Sequence, residues 1–184
     1  MAARGPIFDR FPFEKPSVDT TNAEASPTCI RRARPNDAKG IETLYGELVG
    51  STHVRVLPER IAELENDTET ALLVLEHEGA LHATALLIFC SDVMYGAQPF
   101  AVVENIVVSA ALRGRGLGTA LLQRIEGECI ARDCSKIMLL SAIERSEAHR
   151  FFERCGFSGS RKKGFVKYRR EFRTTSNPVT SSAQ

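Results

Sequence analysis

The sequence predicts a mixed α/β layer fold built as one domain, and three observations predict it. Apolar residues switch repeatedly between a spacing of two and a spacing near 3.6. Helical patterns come early, then a hairpin, then strand, helix, strand, helix and strand in alternation. The length of 184 residues suits one globular domain with some tail and a sizeable core.

The elements follow in order. Pro6, Pro12, Pro16 and Pro27 among Ser, Thr, Asp and Glu predict an unstructured tail over 1–27, interrupted by Phe8, Phe11 and Phe13 as docking candidates. TCIRRA reads as a short strand. Asn36 or Asp37 is placed to cap a helix with Ile41, Leu44, Tyr45 and Leu48 on one face. Pro58 suits the first turn of a second helix running to about Leu64. TALLVLEHEGALHATALLIFC reads as a hairpin turning at Glu78-Gly79, and FAVVENIVV as a further strand. A helix from Leu117 to Arg132 buries Leu121, Leu122, Ile125 and Cys129 and turns Arg124, Glu126, Glu128 and Arg132 to water. KIMLLSA is another strand, Ser146 to Arg154 a last helix, and Gly156 its left-handed cap. GFVKYRREF reads as a closing strand. The polar run TTSNPVTSSAQ predicts a second tail over 174–184, which leaves a domain over 28–173.

Composition narrows the function. A formal net charge of +1 gives no bulk attraction to nucleic acid, and basic residues without aromatic interleaving suggest no binding module. No apolar run is long enough for a bilayer, and the N-terminus lacks the apolar stretch of a signal peptide. The five cysteines, with no C-x-x-C pair, read as reduced thiols in a cytoplasm, and no metal site is expected.

The chemistry centres on Arg113-Gly114-Arg115-Gly116-Leu117-Gly118-Thr119, between a strand and a helix. A helix start offers free N–H groups and the positive end of a dipole; glycine lets an anion approach and arginine adds charge. Neither familiar phosphate loop fits. Gly118 is followed by Thr119-Ala120 where a mononucleotide loop needs Lys-Ser/Thr, and Thr119 stands where a dinucleotide loop needs its third glycine.

What remains, Arg113-x-x-Gly116-x-Gly118, resembles the signature of the GNAT superfamily of acyl-CoA-dependent N-acyltransferases. ENIVV before the loop resembles that family's fourth strand. SEAHRFFERCGF resembles its late helix and following strand. The resemblance covers Val102 to Tyr168, and the element order extends it back to about Thr28. It implies a central, mostly antiparallel sheet whose fourth and fifth strands splay apart, flanked by about four helices.

It also implies acetyl-CoA as cosubstrate. The pyrophosphate would lie on Arg113 to Thr119, and the pantetheine arm along backbone groups of Ile106, Val107 and Val108. The amine would attack the thioester directly. Glu104 is the candidate base, because it interrupts an apolar strand and matches an acidic residue in that strand of glucosamine phosphate acetyltransferases. The leaving thiolate usually meets a tyrosine of the late helix; Phe152 stands at that position here, so Tyr168, Ser146 or water would have to substitute. Tyr45, His53 and His149 are candidate substrate contacts. Arg161, Lys162, Lys163, Lys167, Arg169 and Arg170 read as a solvated face or as the holder of an acidic acceptor. The expected activity is N-acetylation of a primary amine on a small molecule. A protein or peptide amine, or a non-catalytic acyl-CoA-binding regulator, are the alternatives, and a homodimer is a permitted assembly.

Overall fold

The computed structural model describes residues 28–172; the expected tails, with Phe8, Phe11 and Phe13, lie outside the described residues. Among the described residues five strands form one sheet in the order of the chain: β1 (Cys29–Arg32), β2 (Thr70–His77), β3 (Ala80–Cys90), β4 (Phe100–Val108) and β5 (Ile137–Leu139). Every neighbouring pair is antiparallel except β4 and β5, which run parallel. Helices α1 (Ala38–Val49), α2 (Pro58–Glu65), α3 (Leu117–Ala131) and α4 (Ser146–Arg154) flank it. The architecture is the mixed α/β layer fold expected from the alternating periods.

Each face of the sheet buries its own core. Leu73, Leu75, Leu87 and Val103 meet Leu121, Ile125 and Phe152 from α3 and α4. Leu72 and Val74 on the opposite face meet Ile41 and Ile61 from α1 and α2. The apolar stripes of α1 and α3 are therefore the surfaces that hold the layers together. The β2–β3 hairpin turns at Glu78 and Gly79, both left-handed at φ 52° and 75°, the geometry that two-residue hairpin turns require.

Two expectations are corrected. Asp37 does not cap α1 with its side chain. Its carboxylate instead accepts the Arg34 N–H at 2.7 Å and a two-pronged contact from Arg31, 2.7 and 3.0 Å, while Arg31 also reaches Glu76 at 2.8 Å. Pairing with a guanidinium satisfies the buried acid better than one N-cap bond would. GFVKYRREF is not a strand. Residues 161–168 have no regular structure, and only a short 3₁₀ turn follows at Arg169–Glu171. The alternating pattern is present, but a strand needs a paired edge. Here Phe165 stays 86% exposed and Val166, Tyr168 and Phe172 are exposed with it.

The feature that shapes the site lies in β4. Its partners in β3 step from Leu86↔Glu104 to Thr84↔Val107, so β4 carries one extra residue. Asn105 sits in that bulge in the left-handed region, φ 53°. The extra residue shifts the side-chain alternation: Ala101 and Val103 face the α3 and α4 core, and so do Ile106 and Val108. Glu104 pairs with Leu86 and so shares its face, on the side of α1 and α2.

Candidate active site

Pairing between β4 and β5 covers Ala101 to Val103 against Ile137 to Leu139 and then stops. Beyond it the strands part, and among the described residues no strand faces the backbone of β4 on that side from Glu104 to Val108. Buried backbone N–H and C=O groups rarely go unpaired, so an open run of this kind is suited to a ligand that pairs with it. Ile106, Val107 and Val108 lie in this open run.

The open run leads into the glycine loop. Gly114 and Gly116 are left-handed, φ 77° and 81°, a conformation that costs other residues energy. Gly116 is the N-cap of α3 and supplies no side-chain cap. The first helical bond runs from Ala120 N–H to the Gly116 carbonyl at 2.9 Å. The N–H groups of Leu117, Gly118 and Thr119 therefore lie in the first turn, ahead of the helical ladder. Among the described residues no atom comes within 4 Å of where a Cβ on Gly116 would stand. Uncapped donors, an open approach and the exposed Arg115 make a donor set that fits a pyrophosphate. Arg113 turns its Nε back to donate to the Val108 carbonyl at 3.2 Å, bracing the loop on β4. Glu47 of α1 braces the other side by accepting the Ala110 N–H at 2.9 Å.

Gly118 is different. A Cβ there would meet Phe151 and Val108, so its missing side chain is explained by packing between α3, α4 and β4. Thr119 is exposed at the start of the helix.

Glu104 is partly exposed, and its carboxylate makes no hydrogen bond or ion pair among the described residues. Tyr45 of α1 is the sequence candidate on the same side of the sheet. Burial pushes its phenol above the usual range, and the side chains of Thr84 and Asn105 beside it offset part of that effect. Thr84 is itself fully buried and donates to the Leu73 carbonyl at 2.8 Å. Tyr45 thus lies beside the bulge, a proximity that periodicity could not reveal.

The other candidates separate. His53 is exposed in the segment after α1. His149 turns back toward the loop ahead of its helix: Nε2 donates to the Ala142 carbonyl at 2.9 Å and ties α4 to that loop. Phe152 is 8% exposed, with its ring against Phe151 and Phe157. Tyr168 is 58% exposed in the irregular C-terminal segment, and Ser146 is exposed at the start of α4. A cleft of about 650 Å³ opens between the end of β5 and that segment, lined by Leu140, Ser141 and Ile143 on one side and Arg161, Lys162 and Lys163 on the other. The basic run is thus partly a cleft wall. Among the described residues no helix is long and apolar enough to cross a membrane, and no group of His, Cys, Asp or Glu could hold a metal ion.

Comparison with known proteins bears on the family and the fold. Residues 40–157 match the model of the acetyltransferase (GNAT) family. The glucosamine 6-phosphate N-acetyltransferase of Arabidopsis thaliana is 26% identical over 135 residues, 70% of this chain and 89% of that protein. A putative acetyltransferase from Agrobacterium tumefaciens superposes with a TM-score of 0.69 at 27% identity, covering 76% of this chain and 99% of that one. The solved structure of the Arabidopsis glucosamine-6-phosphate enzyme superposes at 0.67 with 23% identity, covering 78% and 99%, and shares the fold.

Proposed function

Because the chain belongs to the GNAT acetyltransferase family, whose members take their acyl group from acetyl-CoA, we propose that it acetylates the primary amine of a small molecule by direct attack. One observation carries this reading: the open backbone run of β4 leads straight into an uncapped helix N-terminus behind left-handed glycines. Acetyl-CoA supplies an activated thioester. The first turn of α3 and Arg115 would bind its pyrophosphate, and the backbone of Ile106, Val107 and Val108 its arm.

Glu104 would accept the proton of the attacking amine, directly or through water. An alkyl amine is mostly protonated near neutrality, with a pKa around 10, so a base within reach raises the reactive fraction. A covalent acyl-enzyme is not needed, and one thiol is poorly suited to form it. Burial and the neighbouring Cys134 push Cys129 up to about 12. The five cysteines, all free, suit a reducing cytoplasm.

Two findings favour an acceptor with an anionic group. Arg161, Lys162 and Lys163 line the cleft at the end of β5, and the curated relative is named for a phosphorylated amino sugar. The test is free-thiol release from acetyl-CoA across a panel of neutral amines, phosphorylated amines and peptides. Release with small amines, fastest with phosphorylated ones, is expected. Release with peptides alone would assign a protein acceptor instead. Acetyl-CoA binding without release would point to the non-catalytic reading.

A further inference from the structure

A hydroxyl carried into a protein interior loses its water and takes another partner. Ser141 breaks that rule. Among the described residues its Oγ is the one buried side-chain polar atom without a hydrogen-bond partner. Buried orphans of this kind call for a partner that the chain itself does not supply.

Its position indicates which partner. The β4–β5 pairing ends at Val103 and Leu139, and Ser141 follows two residues later, where the strands part. It lines the cleft at the end of β5. A donor with its pyrophosphate on the first turn of α3 would run back along Val108 and Ile106 toward Glu104. That course brings its thioester to the parting of the strands. The other side chains considered for the leaving group do not fit: Phe152 has no hydroxyl, Tyr168 is 58% exposed, and Ser146 lies exposed at the start of α4.

We propose that the Ser141 hydroxyl donates a hydrogen bond to the sulfur of the acyl donor and stabilises it as it leaves. This rests on the acetyl-CoA reading above. The amine nitrogen bonds to the carbonyl carbon, and the carbon–sulfur bond breaks with its electron pair passing to sulfur. The amine's proton leaves through Glu104 or water. Ser141 keeps its own proton, because its hydroxyl is too weak an acid to give it up, and the thiolate is protonated by solvent after release. A hydrogen bond to the charged sulfur is stronger than one to the neutral thioester, so it acts more in the transition state than before it.

The test compares CoA with desulfo-CoA, which lacks the sulfur, by calorimetric titration at pH 9.5, above a thiol pKa of about 8.5. Ser141→Ala is expected to bind CoA at least fivefold more weakly than wild type and desulfo-CoA within twofold. Its kcat should fall with the KM for acetyl-CoA unchanged, and its melting temperature should hold or rise. Ser141→Thr, which keeps the hydroxyl, should retain CoA affinity. Should the alanine variant fail to fold, Ser141→Thr against the isosteric Ser141→Val makes the same comparison. Equal losses for both ligands, or no loss for CoA, would overturn the role of Ser141. Wild type binding neither ligand would overturn the acetyl-CoA reading itself.

Discussion

A Cβ added to Gly118 would stand 3.0 Å from Cζ of Phe151 and 3.3 Å from Cγ2 of Val108. Helices α3 and α4 meet closely because residue 118 has no side chain. Gly118→Ala should therefore cost stability by overpacking, about 1–3 kcal/mol, offset in part by alanine's better helix propensity of about 1 kcal/mol. Thermal unfolding should show a lower midpoint, while acetyl-CoA affinity of the folded protein stays within threefold. Unchanged stability with lost affinity would move Gly118 into the ligand site.

Gly116 calls for the opposite result. Its φ of 81° strains most side chains, but asparagine tolerates the left-handed region and is a good N-cap. Gly116→Asn should fold normally and satisfy the free N–H groups of α3 with its own side chain. Acetyl-CoA binding should weaken at least tenfold, about 1.4 kcal/mol, in a calorimetric titration. Near-native affinity would remove the pyrophosphate from this loop.

Glu104→Gln keeps the shape and loses the base. Turnover should fall roughly 100- to 10,000-fold, the usual worth of general-base assistance. Steady-state turnover within threefold of wild type would assign the proton to another acceptor.

Phe152 packs between Phe151 and Phe157 in the core under β4. A hydroxyl there lacks an obvious partner, so Phe152→Tyr should lower stability by about 1–3 kcal/mol. Melting and steady-state turnover measured on the same mutant decide the matter. Held stability with faster turnover would put the ring beside the leaving group after all.

Burial alone would push the Asp37 carboxyl up, but the bonds from Arg31 and the Arg34 N–H outweigh it and hold it below the usual range. A carboxyl depressed in the folded state stabilises above its unfolded pKa, near 3.9, and that stability is lost as pH falls through the folded value. Asp37→Asn should cost about 1.5–3 kcal/mol at neutral pH, since it removes charged hydrogen bonds. Chemical denaturation at pH 7 and pH 3 should show a gap between wild type and mutant that narrows in acid. A gap equal at both pH values would show that the charge of Asp37 does not matter.

Local chemistry was legible in the sequence and long-range partnership was not. Helix α4 runs from Ser146 to Arg154, and the left-handed Gly156 follows it as the cap signal indicated. The Glu78-Gly79 turn is where turn residues interrupt the alternation. The β4 bulge was hidden because FAVVENIVV is nearly apolar throughout, so a shifted alternation leaves no trace in its pattern. Asp37 misled for a related reason. The same side chain suits an N-cap or a guanidinium, and Arg31 and Glu76 come together only after β1 pairs with β2. At the site, the glycine loop was visible as a string. The orphaned Ser141 hydroxyl exists only once strands have parted around it.

The outer edge of β5 has a consequence for how the protein behaves in concentrated solution. A strand with one open side is a template for another chain, and apolar Leu140, Ile143, Phe165 and Val166 lie exposed nearby. Arg161, Lys162 and Lys163 line the cleft beside that surface, and Lys167 and Arg169 follow in the same exposed segment. Their mutual repulsion should keep molecules apart in dilute buffer. At 1 M salt the screening length falls to about 3 Å, and that protection should fade. Light scattering should then show self-association rising with ionic strength, contrary to the usual weakening of charge-driven contacts, and Phe165→Ser should suppress it.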